Sequence, residues 1–185
     1  MNFKRLVTIT SIYIIPLLLI ILLVSVFQTY NTDLLSEFGE IAFMLLFILL
    51  ILKPLSVLIP KISFLRKTLM YRRELGIIIA YFAFAHGLSY LYYIEFESWN
   101  YPSLGIYTGI FALLIMFLLY ITSNTYSMIK LGKKWKLLHA FVYLIFYLTI
   151  FHVLAIKSFK GEYHYVLFAL IVIILKLLEK KKLQK

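Results

Sequence analysis

Residues 138–152 read LHAFVYLIFYLTIFH. Thirteen of these fifteen side chains sit in hydrocarbon without difficulty, and a histidine stands at each end. Extended to 136–157, the stretch is an apolar run long enough to cross a bilayer as helix, which takes about 20 residues. Comparable runs recur at 6–27, 38–57, 75–93, 104–122 and 163–179. The 185-residue chain is 63% hydrophobic, well above the roughly 45–50% apolar content of soluble domains. The expected fold is therefore all-α: a polytopic membrane bundle of six transmembrane helices, forming one domain over 1–185. No polar stretch is long enough for a separate flavin or nicotinamide domain of ordinary size. The first run follows a basic start, MNFKR, and no small-x-small site closes it, so it reads as a retained span rather than a signal peptide. Proline lacks the donor a helix interior needs, so Lys53-Pro54 is expected to interrupt the second run at the membrane edge. Residues 55–74 would then return along that surface.

The net charge of +11 would suit a nucleic-acid partner if it were clustered on a polar face. Instead the basic residues occupy short loops between apolar runs, which is a membrane-orientation pattern and excludes nucleic acid as the natural partner. With the N-terminus inside, 17 of the 19 Lys and Arg residues fall on the inner side, and only Lys157 and Lys160 fall outside. Both termini are thus expected in the cytoplasm. Tyr90, Tyr92, Tyr93, Trp99 and Tyr101 suit the outer aromatic belt, and Trp135 the inner one. The absence of cysteine removes disulfides, thiolate catalysis, Cys-ligated clusters and c-type haem attachment together.

Three of the four histidines fall within expected spans: His86 in the third, His139 and His152 in the fifth. Ionisable groups at membrane depth are costly and usually face the bundle interior. No carboxylate is expected deep in a span, which argues against a proton or cation pathway. Neither H-E-x-x-H nor G-x-S-x-G occurs, which argues against a zinc hydrolase or a serine esterase. Histidines without acids or thiols suit axial ligation of haem iron between facing helices. Depth selects the pair. His86 lies thirteen residues beyond Arg73, about 20 Å, and His152 sixteen beyond Lys136, about 24 Å. His139 is only three residues beyond Lys136, about 5 Å. His86 and His152 are therefore level, in the outer half, and form the expected axial pair. His139 lies near the inner face, where it either ligates a second haem or bonds water or a headgroup. An ideal helix leaves His139 and His152 about 140° apart, so a shared face would need a local distortion. Gly76, Ala80, Ala83 and Gly87 form a small-residue stripe beside His86 that admits either a flat macrocycle or a closely packed helix. His164, between Tyr163 and Tyr165, reads as an ordinary interface residue.

Two stretches carry a family resemblance: YRRELGIIIAYFAFAHGLSYLYY (71–93) and ITSNTYSMIKLGKKWKLLHAFVYLIFYLTIFHVL (121–154). An Arg-Arg-x-Leu-Gly entrance to a helix with one histidine, a Thr-Ser turn, Leu-Gly, Trp-x-x-Leu-His and a histidine thirteen further on resemble the ferric-reductase-like transmembrane family. Within it, the chain looks most like the haem-binding membrane subunits of bacterial periplasmic methionine-sulfoxide reductase systems. The resemblance covers nearly the whole chain and implies a multi-pass protein of the bacterial inner membrane carrying haem b, one copy or two. It implies FMN as an associated cofactor and a cytoplasmic flavin reductase or the quinone pool as donor. The implied acceptor is a periplasmic molybdopterin-containing methionine-sulfoxide reductase. By the same resemblance, His86, His139 and His152 match the family's haem-helix histidines. Arg72 stands where related NADPH oxidases carry a further histidine, so a second haem would need another ligand beside His139. A ferric or other metal reductase subunit is the nearest alternative. A transporter or membrane scaffold without haem, its histidines merely bridging helices, is the alternative of a different class.

Overall fold

The structure is a computed structural model, and it describes residues 33–93, 103–156 and 163–184, with Pro16 alone before them. The first expected span, 6–27, lies outside the described residues, as do the segments around Trp99 and Lys160. The described chain is all-helical. Its elements are α1 (Asp33–Leu58), α2 (Ser63–Met70), α3 (Arg72–Tyr93), α4 (Leu104–Ile121), α5 (Thr125–Leu131), α6 (Lys133–Ala140), α7 (Val142–Ile156) and α8 (Tyr163–Leu183). Among the described residues, three segments are long and apolar enough to cross a membrane: Ser36–Leu58, Leu104–Ile121 and Lys133–Ile156. Helices α3 and α8 carry charged ends, which dilute their apolar windows.

Two expectations are corrected. Pro54 does not end its helix: α1 runs through it to Leu58. The proline lacks only one donor, and its ring is fully buried, so packing offsets the lost bond to the preceding turn. The expected fifth helix is two, α6 and α7, joined by a turn at Phe141 whose N–H bonds to the Leu138 carbonyl (3.1 Å) instead of continuing the i−4 ladder. This tightened turn falls between His139 and His152 and supplies a local distortion of the kind an ideal helix would need to change their relative direction. The return segment is partly helical: α2 buries none of its residues.

The helices pack as two pairs, α1 with α3 and α4 with α7, and α8 closes against α1. Helix α3 also touches α4, but α3 and α7 share no packed interface of their own. Aromatic side chains fill the centre. Phe43 of α1 stacks on Phe146 of α7 (centroids 5.4 Å apart, 9° between planes) and meets Tyr165 of α8 edge-on at 4.9 Å. Such contacts add about 0.5–1.5 kcal/mol per pair beyond the area buried. Helices α3 and α7 face each other without packing together, and the histidines lie in the space between them.

Candidate functional site

His86 of α3 and His152 of α7 line one cavity of about 600 Å³. Their ring centroids are 6.3 Å apart, with the planes at 81°. The other walls are largely apolar: Phe43, Leu46, Ile79, Ala83, Met116 and Ile145 among them.

Each imidazole is seated against a glycine of the helix paired with its own. A Cβ at Gly109 of α4 would lie 2.6 Å from His152 Nδ1, and one at Gly39 of α1 would lie 3.0 Å from His86 Nδ1. At Gly105 a Cβ would crowd the α7 backbone itself, 3.1 Å from the Ile156 nitrogen. Gly105 and Gly109 are one turn apart on one face of α4, a G-x-x-x-G pair that lets two helices approach closely. The approach brings the Gly105 carbonyl within 2.7 Å of His152 Nδ1. A carbonyl can only accept, so Nδ1 carries the proton and Nε2 keeps its lone pair. His152 is thus oriented, fixed in one tautomer and left with one free donor atom. The expected small-residue stripe divides its work. Ala83 and Gly87 line this cavity, Ala80 is buried, and Gly87 is packed by Leu113 of α4.

His139 is not brought to that pair. It lines a second cavity of about 490 Å³, walled off by Leu46, Ile79 and Met116, which both cavities share. The T-S-N turn explains its position. Asn124 caps α5 by accepting from the Ser127 N–H (2.9 Å) and donates to the Ile121 carbonyl (2.8 Å). Gly132, at φ +52° and ψ −120°, then takes a positive-φ conformation open to glycine, where the chain turns into α6. Trp135 returns to donate from Nε1 to the Thr122 carbonyl (2.9 Å), and His139 stacks on its ring at 4.0 Å. Thr122 Oγ1 lies 2.7 Å from the Leu118 carbonyl and 3.1 Å from His139 Nε2, so the hydroxyl engages that ring nitrogen. His164 packs on Tyr165 and Phe168 and lines neither cavity.

The second cavity is lined by Lys53, Arg72, Arg73, Lys136 and Lys176. Glu179 of α8, buried despite its charge, pairs with Lys176 (2.9 Å) and Lys53 (3.5 Å). Glu179 is the last residue of the expected span 163–179, so its burial is compatible with the expectation that no carboxylate lies deep in a span. Arg73 pairs with Glu74 at 2.8 Å. Glu74 also accepts from its own backbone N–H in the first turn of α3. That bond, with Arg73, holds the carboxyl below its ordinary range against a smaller upward push from burial. Among the described residues no group of three or more His, Asp or Glu side chains is arranged to hold a free metal ion.

The bundle sets two imidazoles across a largely apolar cavity, each backed by glycine, in the space between facing helices where bundles hold cofactors. The chain is a member of the ferric reductase like transmembrane component family, whose pattern it matches over residues 36–150. The match takes in His86 and His139 and ends two residues short of His152. The chain is similar to the "Protein-methionine-sulfoxide reductase heme-binding subunit MsrQ" of Agrobacterium fabrum, at 36% identity over 101 residues, 50% of this chain and 46% of that protein. It is also 36% identical to the subunit so named in Pectobacterium atrosepticum, over 124 residues, 62% of this chain and 60% of the relative. The Brucella anthropi protein of that name is 31% identical over 103 residues, 51% and 46% respectively. The chain thus spans about half the length of the curated relatives it matches. No solved structure matches it. Family and helices together make it a multi-pass membrane protein.

Proposed function

We propose that the chain is a haem b subunit that carries electrons across the bacterial inner membrane, with His86 and His152 as the axial ligands of one iron. The observation that carries this reading is the bond from His152 Nδ1 to the Gly105 carbonyl. Metal-binding histidines characteristically donate their other ring nitrogen in this way, which fixes the tautomer and raises ligand basicity. The placement fits as well: the two rings stand 6.3 Å apart and face one cavity from α3 and α7, so both would hold a group bound between them. When bound, the group supplies a one-electron redox centre, and ligation by two histidines leaves no open position for oxygen. The chain's part is to hold both rings, exclude water with apolar walls, and keep the cavity open between α3 and α7. His139, bonded through Nε2 to Thr122, is left out, giving one haem per chain.

A six-span topology with both termini cytoplasmic would put this pair in the outer half of the membrane. That suits delivery to a periplasmic acceptor. The names of the relatives support a methionine-sulfoxide reductase as that acceptor, fed from a cytoplasmic flavin reductase, with FMN, or from the quinone pool. The test is the full chain purified in detergent. A reduced-minus-oxidised spectrum of low-spin b type, at one haem per chain, is expected. His86→Ala and His152→Ala should each abolish it while the protein still elutes as a folded species. A folded, colourless wild-type protein sinks the reading. Loss of periplasmic methionine-sulfoxide repair in a deletion strain, with metal reduction intact, separates the acceptor from the metal-reductase alternative.

A further inference from the structure

The Gly105 carbonyl that holds His152 has a second claimant. Thr108, three residues further along α4, donates from Oγ1 to the same oxygen at 2.8 Å, against 2.7 Å for His152 Nδ1. Hydroxyl bonds to a carbonyl of the preceding turn are ordinary in this chain: Thr68 makes one to Phe64 and Thr149 one to Ile145. What matters at Thr108 is the carbonyl it reaches. A carbonyl oxygen offers two lone pairs, and within a helix it also serves the backbone ladder. A hydroxyl and an imidazole that both draw on one such oxygen each bond more weakly than either would alone. The crowding is built in. Gly105 is buried, and a Cβ on it would lie 2.8 Å from Ile156 Cγ1 and 3.2 Å from the His152 carbonyl oxygen, so a side chain here would push α7 away. Gly105 thus supplies the acceptor, Gly109 the room for the ring, and Thr108 a competing donor.

We propose that Thr108 is a positioning residue that moderates the pull of the Gly105 carbonyl on His152 and so raises the redox potential of the site. The proposal rests on the reading of His152 as an axial ligand. A strong bond from Nδ1–H pushes electron density into the imidazole and makes Nε2 the better donor to iron. A better donor favours the ferric state and lowers the potential, since axial ligation is one of the levers that set it. Thr108 takes part of the acceptor's capacity, weakens the Nδ1–H bond and limits that push. Thr108 itself touches neither His152 nor iron in this scheme; it acts through the one oxygen it shares with the ring.

Spectroscopic redox titration of the full chain in detergent tests this, with haem content read on the same samples. Thr108→Val removes the hydroxyl and nearly keeps the shape. Full haem content is expected, with the ferric-to-ferrous ratio at a fixed applied potential raised about threefold, a fall of about 28 mV at 59 mV per tenfold for one electron. Thr108→Ala removes the same donor without a branched side chain and should shift the potential in the same direction. Thr108→Ser keeps the donor and should titrate like the wild type. Thr68→Val makes the same chemical change at the Phe64 carbonyl of α2 and should leave the potential where it was. An unchanged or raised potential in both the valine and the alanine variant overturns the proposal. So does a serine variant that behaves like the valine, or an equal fall in Thr68→Val. Wild-type protein that purifies folded but without haem overturns the axial-ligand reading and this proposal with it. One haem per chain, at a potential indifferent to Thr108, overturns this proposal alone.

Discussion

The two cavities share Leu46, Ile79 and Met116 as a common wall, yet they treat histidine in opposite ways. In the first, His152 spends Nδ1 on the Gly105 carbonyl and keeps Nε2 free. In the second, His139 spends Nε2 on Thr122 and its ring face on Trp135. The first is flanked by glycines that leave room for imidazole; the second is ringed with cations, two of which share one buried carboxylate. The lesson is that the presence of a histidine in a membrane helix says little. What its neighbours bond to, and which nitrogen they leave unengaged, says more.

The contrast is broken most severely by Gly109→Val. Its Cβ would enter the space of His152 Nδ1, 2.6 Å away, and the branched methyls make relief by rotation harder. The expected outcome is near-complete loss of haem absorbance from a protein that still inserts and purifies. Retention of the full spectrum would show that His152 does not need that seat. Next in size is Glu179→Ala, which leaves Lys53 and Lys176 together without their counter-charge. Removing one partner of a fully buried pair costs about 3–5 kcal/mol. Lys53 is 57% exposed, so the loss here should be nearer 2 kcal/mol by thermal unfolding in detergent, with haem content unchanged. A fall in haem content matching the fall in stability would merge the two cavities into one functional unit.

His139→Ala sharpens the same distinction from the other side. It removes one neutral hydrogen bond and a ring contact, together worth about 1–2 kcal/mol, and should leave one haem per chain. A drop from two haems to one would make His139 a ligand and rewrite the second cavity.

Much of this arrangement was legible before the structure. Hydropathy alone located five of the described helical regions within a few residues, since apolar runs of that length have few other uses. Counting rise from Arg73 and Lys136 placed His86 and His152 at one level, and the structure brings those two rings together. What could not be read were the partners. Gly39, Gly105 and Gly109 are ordinary small residues until it is known that α1 pairs with α3 and α4 with α7. The one local signal was the Gly105-x-x-x-Gly109 spacing, which announces a close approach but not of which helix. The turn at Phe141 was equally hidden, because neither proline nor glycine marks it. Pro54 misled in the other direction: a proline breaks a helix in water more readily than in a bundle whose packing holds both sides of it in line.

The finest probe of the histidine cavity is Gly39→Ala. A Cβ there would lie 3.0 Å from His86 Nδ1 and 3.1 Å from Cε1 and Cγ, close enough to press on the ring without expelling it. A displacement of a few tenths of an ångström in an axial imidazole alters ligand strength and orientation rather than occupancy, and axial ligation is one of the levers that set a haem potential. The expected result is full haem content and unchanged stability, with a shifted midpoint potential in a spectroscopic redox titration. The matched change at Gly76, where a Cβ meets nothing, should leave the potential where it was. If both alanines shift it equally, the effect belongs to α1 and α3 packing in general. If only Gly39→Ala does, the glycine is part of how this protein tunes His86.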